Sequence, residues 1–147
     1  MIYLFQMIFS SGKNIEVIVM GMLYDKGLFK YEDKVTKYWP EFGKNGKEEV
    51  KICDILRHES GLAYFSKPLP SFNVLWTDNI KKNQVGEIIE DEPQHFKEKN
   101  GFKYKREYHA FTRGTIINEL VRRIHPEVSI TLKIIKMDNF ICIFLSF

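Results

Sequence analysis

The residues in this sequence best suited to chemistry stand near its start. Ser10-Ser11-Gly12-Lys13 is an S-x-x-K pattern, with a hydroxyl three positions ahead of an amine. On a helix, positions i and i+3 share a face, so the Lys13 amine can reach the Ser10 hydroxyl. A serine hydroxyl is a poor nucleophile until a neighbouring base takes its proton. At a helix start, the positive end of the dipole disfavours a charged lysine and favours a developing oxyanion. Burial against an apolar helix pushes the same way. The chemistry this spacing fits is acyl transfer, with Ser10 as nucleophile and Lys13 as base. Taken alone, the pattern has a more ordinary meaning: an N-cap serine followed by a surface lysine.

Other chemistries find less support. His58, His95, His109 and His125 have no metal-ligand spacing, and there is no H-E-x-x-H and no Cys/His cluster, so neither a metal nor another cofactor is expected. Cys53 and Cys142 form no C-x-x-C and no disulfide framework. No G-x-S-x-G elbow occurs, which disfavours an α/β-hydrolase fold. His109 invites a Ser–His reading, but a histidine beside a tyrosine is more often a packed or hydrogen-bonded residue.

The elements that must position these groups are readable from periodicity. Residues 1–9 read as a strand, Ser10 or Ser11 as an N-cap, and 12–25 as a helix. That helix is apolar on nearly every side, the pattern of a buried helix. Lys26-Gly27 is its stop signal. Residues 28–42 form a connection, 44–47 a turn, and 50–58 a short helix ending near Ser60-Gly61, with Gly61 the expected C′ residue. Residues 63–75 read as loop, 79–89 as a further short helix and 91–105 as polar loop. Ile116, Leu120 and Ile124, flanked by Ile117 and Val121, predict a helix over 108–124 that Pro126 stops. Residues 127–147 are β-prone.

Composition bounds the class. A chain of 147 residues fits one modest domain, and 44% hydrophobic against 28% charged residues marks it as globular. A net charge of +3 with dispersed lysines gives no case for nucleic acid. Lys47, Lys51 and the lysines of 97–105 read as solvated faces. Residues 1–9 lack the basic flank of a signal peptide. The uncharged end, 139–147, is far shorter than the roughly 20 residues of a membrane span.

Longer stretches carry a resemblance. FSSGK, then GMLYDKGLFKYEDKVTKYWPEF, then VKICDILRHESGL resembles the β-lactamase-related serine hydrolases, a family of class C β-lactamases, DD-peptidases and esterases. Asp25, Gly27, Leu28, Asp33, Val35, Tyr38, Pro40, Glu41 and Phe42 fall in order on the family's "DxGLLxxDDPVxKYxPEF". Leu56, His58, Ser60, Gly61 and Leu62 fall on its "ITVRxLLxHTSGL". REYHAFTRGTIINELVRRI is similar to the "YHAxTxGxLxGELIRR" segment of the esterase-like and eukaryotic members, and the wording with Trp39 and HESGL is nearest the eukaryotic branch. The resemblance implies an α/β β-lactamase/transpeptidase-like fold, of which this chain holds mostly the helical part, with a short strand at each end. It implies acyl-enzyme hydrolysis of a small-molecule ester or amide. Tyr108 takes the place of the family's tyrosine, which acts with the lysine as general base and protonates the leaving group. Ala110 stands where many members have the Asn of Y-x-N, so the resemblance favours an ester or other amide over a β-lactam.

The resemblance runs to about Pro126. It implies a partial β-lactamase-related domain over 1–126 and an unrelated apolar tail over 127–147. The family's third motif, K-T-G or H-x-G, is not found after Pro126. That motif lies on the strand supplying one oxyanion-hole N–H, so turnover by this chain is expected to fail. Ile18, Met22 and Leu23 are then expected to be partly exposed. The rival expectations are a non-catalytic member serving binding or assembly, and an unrelated helical interaction domain.

Overall fold

The computed structural model describes residues 9–69, 82–96 and 106–125. The expected terminal strands, the lysines of 97–105 and the apolar tail lie outside the described residues. Within them there is no strand; Lys34 and Lys51 form an isolated antiparallel bridge. The mainly helical character expected from the sequence is what the described residues have.

A 3-10 turn, Phe9–Gly12, leads into helix α1, Lys13–Asp25. The expected serine N-cap is not there. Gly12 is the N-cap, already helical at φ −59° and ψ −23°, with no side-chain cap. The chain therefore enters α1 without the extended residue whose side chain could fold back onto the helix. Glu16, Met20 and Leu23 form the inward stripe of α1, at the i, i+4, i+7 spacing of one helix face. Val17, Ile18 and Met22 face outward, the last two 60% and 54% exposed. The expectation of a helix buried all round is thus corrected. Exposure of Ile18 and Met22 agrees with expectation, whereas Leu23 lies on the covered stripe and is buried. The Lys26-Gly27 stop is as expected: Gly27 (φ 70°) donates to the Tyr24 carbonyl and Leu28 to that of Leu23, the paired bonds of a Schellman end.

Short 3-10 turns, Val35–Lys37 and Pro40–Gly46, seat Val35, Trp39 and Phe42 in the core. Helix α2, Ile52–Leu56, follows, with the Asp54 carboxylate accepting the Lys51 backbone N–H at 2.9 Å. Its end differs from expectation. The C′ position falls on His58 (φ 64°), whose N–H donates to the Ile55 carbonyl while that of Glu59 donates to Asp54. Gly61 (φ 77°) is needed for another reason: a Cβ there would lie 2.7 Å from the Phe96 carbonyl oxygen.

Helix α3, Gln84–Asp91, packs on the Pro40–Gly46 turns, and helix α4, Thr112–Ile124, packs on α1, α2 and α3. Ile116, Ile117, Leu120, Val121 and Ile124 are all buried, as their spacing predicts. The helix begins four residues later than Tyr108, because residues 106–110 are held in other hydrogen bonds. Lys47 corrects the reading of a solvated face. It is wholly buried, with its ammonium over the Phe42 ring and donating to the Glu90 carbonyl at 2.8 Å and to that of Glu92. Burial pushes its pKa down to about 8. Lys51 is solvated as expected and pairs with Glu32 at 3.1 Å. Among the described residues no helix is long and apolar enough to cross a membrane.

Candidate active site

The 3-10 turn presents Ser10 on the surface just before α1, and residues 106–110 bring Tyr108 to it from the other end of the chain. The Tyr108 hydroxyl donates to Ser10 Oγ at 2.6 Å. Lys13, on the first turn of α1, lays its ammonium 5.1 Å from the Tyr108 ring centroid and donates to the Ala110 carbonyl at 2.7 Å. The structure therefore brings together all three residues singled out from the sequence, with Tyr108 rather than Lys13 bonded to the serine. The hydrogen bond with Ser10 foremost, partly opposed by burial and helped by the Lys13 ammonium and last by the Arg113 guanidinium, holds the Tyr108 phenol below the ordinary tyrosine range. Tyr108 is 53% exposed, so it is not the buried aromatic that its place near a helix start would otherwise suggest.

What holds Tyr108 is a platform that motif reading left as a helix end and its turn. Residues 58–62 bond residues 107–112 along their length. Glu107 N–H donates to the His58 carbonyl at 3.1 Å, His109 N–H to His58 Nδ1 at 3.0 Å, and the Thr112 hydroxyl to the Leu62 carbonyl at 2.6 Å. The His58 ring packs against that of Tyr108, with centroids 5.0 Å apart. Ser60 and His109 form a serine–histidine contact at 2.8 Å. Leu62 N–H also donates to His109 Nε2, so that nitrogen is an acceptor and Nδ1 carries the proton donated to the Glu107 carbonyl. Both Ser60 and His109 are enclosed, which leaves no access for a substrate and makes this pair a structural tie. The hydrogen-bonded reading of His109 holds.

Behind Lys13 lies a charge pair that the spacing of the motifs did not indicate. Glu16 and Arg113 are both buried, with Arg113 Nε 3.2 Å from Glu16 Oε2. Among the described residues no group of three or more His, Cys, Asp or Glu side chains is placed to hold a metal ion.

The beta-lactamase family model matches residues 5–129. The chain belongs to this family. Over 57 residues it is 44% identical to the esterase/beta-lactamase LipL of Mycobacterium tuberculosis, a match that takes in 39% of this chain and 13% of LipL. Among solved structures, EstA of Arthrobacter nitroguajacolicus Rue61a superposes with a TM-score of 0.68 at 28% identity, over 85% of this chain and 32% of EstA. A family VIII carboxylesterase gives 0.61 at 27% identity, over 79% of this chain and 29% of the other. A penicillin-binding protein homologue from Caulobacter crescentus, at 23% identity and a TM-score of 0.67, shares the fold over 88% of this chain and 33% of its own. This family member thus has the β-lactamase/transpeptidase-like fold and spans about a third of the solved structures it matches.

In this family member the platform has a pH signature. Burial first, then the Arg113 cation, pushes the His58 pKa down to about 4, and burial lowers that of His109. In the unfolded chain both titrate near ~6.5. Between about pH 6.5 and 4 the unfolded state therefore binds more protons than the folded state, and stability falls as pH falls through that window. Glu16, whose pKa is raised chiefly by burial, works in the opposite direction. Comparison with a variant isolates the histidine. His58→Asn, which tolerates the positive φ, should lose less stability than the parent between pH 7 and 4.5 in urea titrations. Equal losses would remove His58 as a source of the effect.

Proposed function

We propose that this chain carries the nucleophilic half of a serine hydrolase acting on a small-molecule ester or amide through an acyl-enzyme. With Tyr108 as its phenolate, stabilised by the Lys13 ammonium, Ser10 Oγ attacks the carbonyl carbon while its proton passes to the phenolate oxygen. The tetrahedral intermediate collapses as Tyr108 returns that proton to the leaving group, and water repeats the sequence on the acyl ester. The observation that carries this reading is the 2.6 Å contact of Tyr108 with Ser10 across 98 residues of chain, with the Lys13 ammonium beside the phenol. The likeness to a family VIII carboxylesterase supports the ester over the β-lactam, as does Ala110 in the place of an amide side chain, while the esterase/beta-lactamase LipL is compatible with both.

The rival reading is a member that binds or assembles without turnover. A fluorophosphonate probe with peptide mapping separates the two readings, because stoichiometric labelling needs an activated serine but no turnover. Labelling is expected at Ser10 and is lost in Ser10→Ala. Label on Ser11 or Ser60 that survives in Ser10→Ala would remove Ser10 from the mechanism. No label at all would favour the non-catalytic reading.

A further inference from the structure

We propose that Arg113, held by Glu16, is a positioning residue that locks the Lys13 end of α1 to the segment bearing Tyr108 and biases the phenol toward its anion. The inference rests on the assignment of Ser10, Lys13 and Tyr108 above, and extends it to two residues that touch none of the reacting atoms. Arg113 opens α4, five residues after Tyr108. Its guanidinium makes three contacts on two elements. Nη2 donates to the Lys13 carbonyl at 3.3 Å, Nε faces Glu16 at 3.2 Å, and Nη1 lies 3.4 Å from His58 Nε2. One rigid fork therefore touches the helix that follows the nucleophile, at Lys13 and at the buried counter-ion Glu16, and the platform under Tyr108. Lysine, a point charge, cannot reproduce that geometry.

Stability alone does not account for the pair. A buried ion pair is worth little net stability unless its remaining polar atoms are satisfied. Here Arg113 Nε and Glu16 Oε2 are close but lack hydrogen-bond alignment. The charge pattern has a chemical reading instead. The charged and titratable groups grouped here are Lys13 and Glu16 on α1, His58 at the end of α2, and Tyr108, His109 and Arg113 beside or on α4. His58 and His109 are held neutral by their burial and bonding. Arg106 and Glu107, one of each sign, act on the two histidines. Lys13 and Arg113 are the cations that act on the Tyr108 phenol, and both favour its phenolate. Glu16 tempers their field, and the fork fixes where the Arg113 charge sits.

The test reads Tyr108 directly. Its phenol is titrated by NMR in protein labelled at the tyrosine ring carbon that bears oxygen, with Tyr108→Phe to assign the signal. The pH midpoint of fluorophosphonate labelling at Ser10 is measured in parallel. In Arg113→Met both midpoints should rise, by about half a pH unit to one unit. In Arg113→Lys the phenol midpoint should stay near the parent, while labelling slows because the tie to the Lys13 carbonyl is gone. Glu16→Gln should move the phenol midpoint down, and decides the matter if Arg113→Met does not fold. A parent that labels at Ser10, with no movement of either midpoint in Arg113→Met and none in Glu16→Gln, overturns the proposal and leaves the hydrolase reading intact. A phenol midpoint that moves as stated in a parent that never labels upholds the positioning role and overturns the hydrolase reading.

Discussion

Lys13→Met and Tyr108→Phe are each expected to slow phosphonylation of Ser10 by roughly 10²- to 10⁴-fold, the range that a positioned general base contributes. Tyr108→Phe is the sharper test. It keeps the ring packed on His58 and deletes only the hydroxyl, the group that contacts Ser10 Oγ at 2.6 Å. Lys13→Met removes the ammonium beside the phenol and its bond to the Ala110 carbonyl, so the phenol becomes harder to ionise. In the proposed mechanism lysine acts on the serine through the tyrosine, so the two would form one proton-transfer unit. The double variant should fall within about tenfold of the slower single variant, not at the product of the two effects. Full rate in Tyr108→Phe would hand the base role to Lys13 alone. Multiplicative effects would mean that the two residues act separately. Thermal melts guard against unfolding as the cause. Tyr108 is half exposed, so loss of its hydroxyl should move the melting temperature little.

The parts of this fold legible in the sequence were those with a local cause. The Lys26-Gly27 stop needs one residue at positive φ, and glycine announces it. The Ile116, Leu120, Ile124 spacing needs only a covered stripe on α4. Ordered motif blocks placed Ser10, Lys13 and Tyr108 together, a juxtaposition that no spacing rule could supply across 98 residues. What stayed hidden was set by tertiary partners. Lys47 looks like any surface lysine until two carbonyls at the end of α3 converge on it. His58 takes a left-handed position that composition would give to Gly61, because its ring and Nδ1 are needed under Tyr108 and His109. Glu16 and Arg113 lie 97 residues apart, and neither sits in a motif that calls for the other. The apolar character of α1 says that its surface can be covered, but not which stripe the described residues cover.

Trp39→Ala is expected to cost about 3–5 kcal/mol, the range for removing a large buried aromatic, and to lower the melting temperature by roughly 10–20 °C for a chain of this size. Trp39 has no exposed surface and packs against Phe42 with ring centroids 5.4 Å apart. Its indole N–H donates to the buried Glu90 carboxylate at 2.8 Å, and the Arg123 guanidinium lies over the ring at 3.8 Å. Alanine therefore leaves a cavity where α3, α4 and the Pro40–Gly46 turns meet, takes one donor from a buried carboxylate, and leaves Arg123 without its aromatic partner. Trp39→Phe divides these effects. It refills most of the volume and loses chiefly the hydrogen bond, for about 1–3 kcal/mol. Set against a total stability of roughly 5–15 kcal/mol for a domain, the alanine variant removes a large fraction and the phenylalanine variant a modest one. Urea midpoints at unchanged m-value measure both. Trp39 touches neither Ser10, Tyr108 nor the 58–62 platform in any of these contacts. Any Trp39→Ala protein that remains folded should therefore still be labelled at Ser10 at the parent rate. A melting temperature lowered by less than about 2 °C would show that this aromatic centre is not what holds α3 and α4 together.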